Sequence, residues 1–235
     1  MNTSHQIIRV AINGFGRIGR YTAKLLLSNP QLNLVAINDL ADKSAIAHLL
    51  KYDSVHGRFD SEISLVSDKL MVNKHEITLL SKSDPKDLPW KDLAIDVVIE
   101  CTGRFTHTAG ASMHLAAGAK KVIITAPSPS KEVPTIVLGV NDHILTGKET
   151  IISNASCTTN CLAPMVKVLE ENFGIEKGFV STVHSYTNDQ NLHDAPHRDL
   201  RRARAAACSA DRLPLARPVS ASPVVSRAST VKMGW

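Results

Sequence analysis

The sequence predicts an α/β chain in two parts: a doubly wound, mainly parallel sheet over residues 1–156, then an incomplete α+β domain over residues 157–207. Three observations carry this expectation. Short β-branched runs alternate with helical patterns, a glycine-rich turn joins the first strand to the first helix, and a cysteine with a polar lead-in opens a helix where the alternation ends.

The first strand is Ile7-Ile8-Arg9-Val10-Ala11-Ile12, which runs into Asn13-Gly14-Phe15-Gly16-Arg17-Ile18-Gly19-Arg20 and a helical stretch over residues 21–27. Strand before and helix after give the G-x-G-x-x-G its meaning: the glycines let the chain turn tightly and approach a pyrophosphate, which the helix N-terminus stabilises. This is a Rossmann-type arrangement. The second strand, Leu34-Val35-Ala36-Ile37, ends in Asn38-Asp39, and Asp39 fills the place of the acid that accepts from ribose hydroxyls. A carboxylate there repels a 2′-phosphate, so NAD is expected over NADP.

Residues 42–52 read as a helix, and Leu70-Met71-Val72 with Ile77-Thr78-Leu79-Leu80 as a small antiparallel excursion closed by turns at Asp84-Pro85 and Leu88-Pro89-Trp90. The α/β rhythm then resumes: a strand over 96–100, a turn at Thr102-Gly103, a helix over 109–117 and a strand over 121–125. Further strands are expected at 135–138 and 149–152. Thr125 stands at a strand end, where its side chain can face the cofactor.

Cys157 follows Ser153-Asn154-Ala155-Ser156 and precedes apolar positions at helical spacing, so it should open a helix, where the dipole and unsatisfied N–H groups favour the thiolate. Cys161 lies one turn on and is expected as a buried neighbour; a metal pair is set aside, because no second Cys/His cluster stands at ligand spacing. An alternating run over residues 178–187 reads as a strand delivering His184 as a partner for the thiol. The hydrophilic run after it carries Arg198, Arg201, Arg202 and Arg204, either a solvated basic loop or a phosphate clamp.

Composition bounds the function. The net charge is +5, but Arg212, Arg217, Arg227 and Lys232 against Asp211 supply +3 of it, so no nucleic-acid groove is implied. No apolar run approaches a membrane span, no signal-peptide core stands at the N-terminus, and the four cysteines form no disulfide framework. A soluble cytoplasmic protein is expected.

The glycine loop, the Ser153-Asn154-Ala155-Ser156-Cys157-Thr158-Thr159-Asn160-Cys161 stretch, His184-Ser185-Tyr186-Thr187 and Asp199-Leu200-Arg201-Arg202-Ala203-Arg204 together resemble the phosphorylating glyceraldehyde-3-phosphate dehydrogenases, over about residues 6–207. The resemblance implies that Cys157, deprotonated with help from His184, attacks an aldehyde phosphate. Hydride then passes to NAD, and inorganic phosphate cleaves the resulting thioester to an acyl phosphate. It implies cofactor contacts at Asn13, Gly14, Phe15, Gly16, Arg17, Ile18, Gly19, Asp39 and Thr125, and substrate contacts at Ser156, Thr158, Thr187 and Arg202. Erythrose-4-phosphate dehydrogenases share the cysteine motif, whereas Tyr-Thr-Asn after His184 and Ala-Pro-His after Asp194 look more like the glyceraldehyde enzyme. A non-catalytic NAD-binding fragment is the other reading.

After Ala207 the resemblance stops, and residues 208–235 read as a disordered tail. The resemblance implies a homotetramer, as is typical of the family, but the segments expected after Ala207 contribute to its contacts, which leaves assembly open. Arg212-Leu213-Pro214-Leu215-Ala216-Arg217 can be written CGA-CTA-CCA-CTG-GCG-CGG; read one nucleotide earlier, after a C, the same string encodes Pro-Thr-Thr-Thr-Gly-Ala, the phosphate loop the family would have there. A shifted reading frame is therefore expected, and sequencing the coding DNA checks it: codons incompatible with that overlap remove the idea.

Overall fold

The computed structural model describes residues 7–182 and Thr187. The described residues up to Asn172 form one compact unit. Its elements are β1 (Ile8–Asn13), α1 (Arg17–Leu27), β2 (Leu32–Asn38), α2 (Lys43–Lys51), the short pair β3 (Tyr52–Asp53) and β4 (Gly57–Arg58), and the meander β5 (Ile63–Val66), β6 (Lys69–Val72) and β7 (His75–Leu80). They are followed by β8 (Val97–Glu100), α3 (Thr108–Ala116), β9 (Lys121–Ile124), β10 (Ile151–Ser153) and α4 (Cys157–Phe173).

Eight strands join in one sheet in the order β10-β9-β8-β1-β2-β7-β6-β5. Pairing is parallel from β10 through β7 and antiparallel across β7, β6 and β5, the excursion read from the sequence. Parallel strands need covered faces, and the side chains oblige by alternating. Val10 and Ile12 of β1 join the core on one face with Ala23 and Leu26 of α1 and Ile46 and Leu50 of α2. Ala11 enters the other core with Trp90, Ile95 and Val98. The β1–β2 register slips between Val10 and Ala11, so Val35 has no partner across the ladder and Val35 and Ala36 both serve the second core.

Local chemistry sets the helix ends. The Asp42 carboxylate caps α2 by accepting from the Ser44 N–H at 2.9 Å. Asp84 does the same for a 3-10 turn over Pro85–Asp87.

Two expected strands are corrected. Residues 135–138 make a single bridge, Thr135 to Ser153, rather than a strand. The Asn141 side chain donates to the Thr135 carbonyl at 2.9 Å and accepts from the Val137 N–H at 2.8 Å, taking backbone groups a ladder would have used. Residues 178–182 carry no strand pairing and Phe179 is exposed; an alternating pattern becomes a strand only beside a neighbour. His184 and residues 188–235, with Arg202 and the expected tail among them, lie outside the described residues.

Adjacent residues of α2 test the core. Leu50 is fully buried and Leu49 is exposed. Leu50→Ala is expected to cost about 3 kcal/mol in urea unfolding and Leu49→Ala under about 0.5 kcal/mol.

Candidate functional site

The sheet reverses its direction of growth between β1 and β8: β2 is added on one side of β1, and β8, β9 and β10 on the other. In an open α/β sheet, such a switch point leaves a crevice outside the carboxyl ends of the two strands. The glycine loop after β1 and the Thr102 turn after β8 form its walls.

Each glycine of the loop has its own reason. Gly14 has φ +92°, and a Cβ there would lie 2.7 Å from the Thr102 backbone nitrogen. A Cβ on Gly19 would lie 2.1 Å from the Gly14 carbonyl oxygen, so this glycine lets α1 pack on the loop. Gly16 is different: nothing stands within 4 Å of where its Cβ would be, and it heads α1 with no side-chain cap. Its open face and the α1 N-terminus suit an anion.

Asp39 is half-buried and bonds the loop directly. One carboxylate oxygen accepts from the Phe15 N–H at 2.6 Å and the other from the Ala41 N–H at 2.8 Å. The Phe15 carbonyl accepts from Arg20 Nη1 at 3.0 Å, and Arg17 pairs with Asp53 at 3.2 Å. Burial is the main influence pushing the Arg20 guanidinium below its ordinary range, with Arg17 adding to it. Ile18 is exposed, and Phe15 is buried beneath the loop. Thr125 donates its hydroxyl to the Glu100 carbonyl at 3.0 Å. Burial pushes the neighbouring Cys101 thiol up to about 12, with the Glu100 charge contributing.

The Asn13 side chain turns inward. Its amide nitrogen donates to Glu100 at 2.6 Å, and its oxygen accepts from Asn38 at 2.7 Å. Asn38 in turn bonds both backbone groups of Lys82. Glu100 also accepts from the Thr102 N–H at 2.7 Å, the Thr102 hydroxyl and His114 Nε2 at 3.0 Å. Trp90 Nε1 donates to His114 Nδ1 at 3.0 Å. Sequence reasoning missed Asn38, Glu100, His114 and Trp90 as one group. A carboxylate closing the apolar run Val97-Val98-Ile99 was the available signal.

The second component follows β10. Ser153 ends the strand and Ala155 takes φ +59°, a left-handed turn held where the Ser153 hydroxyl accepts from the Ala155 N–H at 3.2 Å. Ser156 then caps α4, its hydroxyl accepting from the Thr159 N–H at 3.0 Å. Cys157 is the first residue of α4, as the sequence reading has it, and is exposed, and Thr158 beside it is half-buried. Cys161 corrects that reading: it is exposed, because α4 buries none of its residues among those described. Thr187 is exposed. Two depressions of about 170 and 290 Å³ beside β10 share no residue with the glycine loop or Cys157. Among the described residues no group of three His, Cys, Asp or Glu could hold a metal ion, and no helix is long and apolar enough to cross a membrane.

A parallel sheet with a glycine loop at its switch point and an acid ending the second strand defines a domain of the dinucleotide-binding class. Residues 8–108 match the family model of the glyceraldehyde 3-phosphate dehydrogenase NAD binding domain, and residues 156–211 match that of its C-terminal domain. The chain belongs to the glyceraldehyde-3-phosphate dehydrogenase family. It is 55% identical over 209 residues to the glyceraldehyde-3-phosphate dehydrogenase of Mycoplasma pneumoniae, covering 89% of this chain and 62% of the relative. The Clostridium acetobutylicum protein of the same name is 57% identical over 203 residues (86% and 60%), and that of Geobacillus stearothermophilus 56% over 201 residues (85% and 60%). The chain thus spans about 60% of the length of these curated relatives. The second family match ends at residue 211, shortly beyond Ala207.

The glycines make separable predictions. Gly19→Ala is expected to cost about 3 kcal/mol or prevent folding, whereas Gly16→Ala should change stability by less than about 1 kcal/mol and weaken dinucleotide binding. Urea unfolding and dinucleotide titration of both variants check this.

Proposed function

We propose that the chain is an NAD-dependent, phosphorylating aldehyde dehydrogenase of the glyceraldehyde-3-phosphate type, working through a Cys157 thioester with inorganic phosphate as second substrate. The observation that carries the reading is the place of Cys157: it is exposed, in the first turn of α4, at the carboxyl edge of the same sheet that holds the glycine loop. The reading divides the chain into a nucleotide domain over residues 1–156 and part of a catalytic domain over 157–207, in a cytoplasmic setting.

The residues present fit the dinucleotide. Gly16 leaves space at the α1 N-terminus for a pyrophosphate, and Asp39 sets a carboxylate where a ribose would lie and a 2′-phosphate would be repelled. Arg17 and Ile18 begin α1 and offer N–H groups to the pyrophosphate, while Thr125 closes the crevice at the end of β9. Bound NAD supplies the hydride acceptor.

On the substrate side, the helix dipole and the N–H groups at the start of α4 favour the Cys157 thiolate. The sulfur forms a bond to the aldehyde carbon, and the carbonyl electron pair moves to oxygen, where a backbone N–H of the α4 first turn can stabilise it. The carbon–hydrogen electron pair leaves as hydride, the carbonyl re-forms as a thioester, and phosphate oxygen displaces the sulfur to give the acyl phosphate. His184 is assigned the proton from the thiol. Ser156, Thr158, Thr187 and Arg202 are assigned to bind the substrate and phosphate groups, Ser156 while also capping the helix.

Two measurements test this. Reduction of NAD by glyceraldehyde 3-phosphate, dependent on phosphate and abolished by Cys157→Ser, is the expected outcome; no turnover with NAD binding retained would leave only the nucleotide-binding reading. Iodoacetamide is expected to alkylate Cys157 at neutral pH and to spare Cys101 up to about pH 10, because only the thiolate reacts and burial holds Cys101 protonated. Mass spectrometry of the labelled peptides reads it.

A further inference from the structure

Glu100 is 1% exposed and His114 is wholly buried. Glu100 is the last residue of β8, whose carboxyl end borders the crevice, and His114 reaches it from α3. The oxygen Oε1 of Glu100 takes the two Thr102 donors, and Oε2 takes Asn13 Nδ2 and His114 Nε2. Through Thr102 the carboxylate holds the backbone that packs on Gly14; through Asn13 and Asn38 it reaches the Lys82 backbone after β7.

The direction of the His114 hydrogen bonds is set by Trp90. An indole N–H can only donate, so His114 Nδ1 carries a lone pair and the ring proton sits on Nε2, facing Glu100. The imidazole therefore cannot turn its acceptor to Glu100 without leaving the Trp90 N–H unpaired in the core.

We propose that Glu100, oriented by the His114 tautomer that Trp90 enforces, is a positioning residue for the dinucleotide site, fixing Thr102 and Asn13 so that the glycine loop is set before the ligand arrives. The inference rests on the dinucleotide-binding reading above. Its effect on the loop, however, is measurable without ligand.

The experiment is amide hydrogen exchange on the full chain, with thermal unfolding and NAD titration alongside, for Glu100→Gln, His114→Asn and His114→Gln. In Glu100→Gln one end of the side chain becomes an NH2 facing donors. Exchange at the Thr102 and Phe15 amides is expected to rise about tenfold, and NAD affinity to fall about tenfold. His114→Asn keeps an acceptor for Trp90 but withdraws the donor from Glu100, so it should lower the unfolding temperature and loosen the same two amides by more than the rest of the domain. His114→Gln keeps the donor and strands Trp90; it should unfold at lower temperature with Thr102 and Phe15 protected relative to the rest of the domain.

That opposed pattern is what a purely structural role would not produce. Loss of protection at Thr102 and Phe15 that tracks the unfolding temperature in both His114 variants overturns the proposal, as does wild-type protection of those amides in Glu100→Gln. If the exchange pattern holds and the wild-type chain binds no NAD, the positioning stands and the dinucleotide reading fails.

Discussion

A buried carboxylate is tolerable only when its charge is met by donors, and the arrangement at the top of this sheet follows from meeting that demand for Glu100. The Thr102 donors stand two residues beyond Glu100, whereas those of β1 and α3 come from other elements and are brought to it by the fold. Once they converge, the carboxyl ends of β1 and β8 are fixed relative to each other. The crevice between them takes its shape from that.

The sheet supplies the frame on which this works. Parallel pairing of β1 with both β2 and β8 puts Asn13, Asn38 and Glu100 at matching heights, so their side chains can reach across the ladder. The register slip at Val10 and Ala11 lets Ile37 return to the first core after Val35 and Ala36 have faced the second. Without it, Asn38 would sit on the opposite face from the one it now occupies, and the amide chain to Lys82 could not form. A backbone irregularity in the middle of a strand thus decides the chemistry at its end.

What could be read from the sequence was local in cause. The glycine loop was legible because strand, turn and helix follow one another without interruption, and Asp39 because it ends the next strand. Cys157 at the head of α4 was legible for the same reason: Ser156 caps the helix within three residues of itself. The rest depended on partners far along the chain. Glu100 looks like an ordinary strand-end acid until Asn13, 87 residues earlier, donates to it. Residues 135–138 have the composition of a strand, and only the Asn141 side chain diverts their backbone. Cys161 has the spacing of a buried neighbour, but spacing names a face and does not say what covers it.

Ala155 bears on how this protein can change. It is buried and left-handed at once, two residues before Cys157. Left-handed backbone excludes β-branched side chains, and the packed surroundings exclude long ones, so Gly, Ala and at most Asn remain compatible. Drift at this position is therefore confined to a set so small that the approach to Cys157 keeps its shape while the surface around it varies.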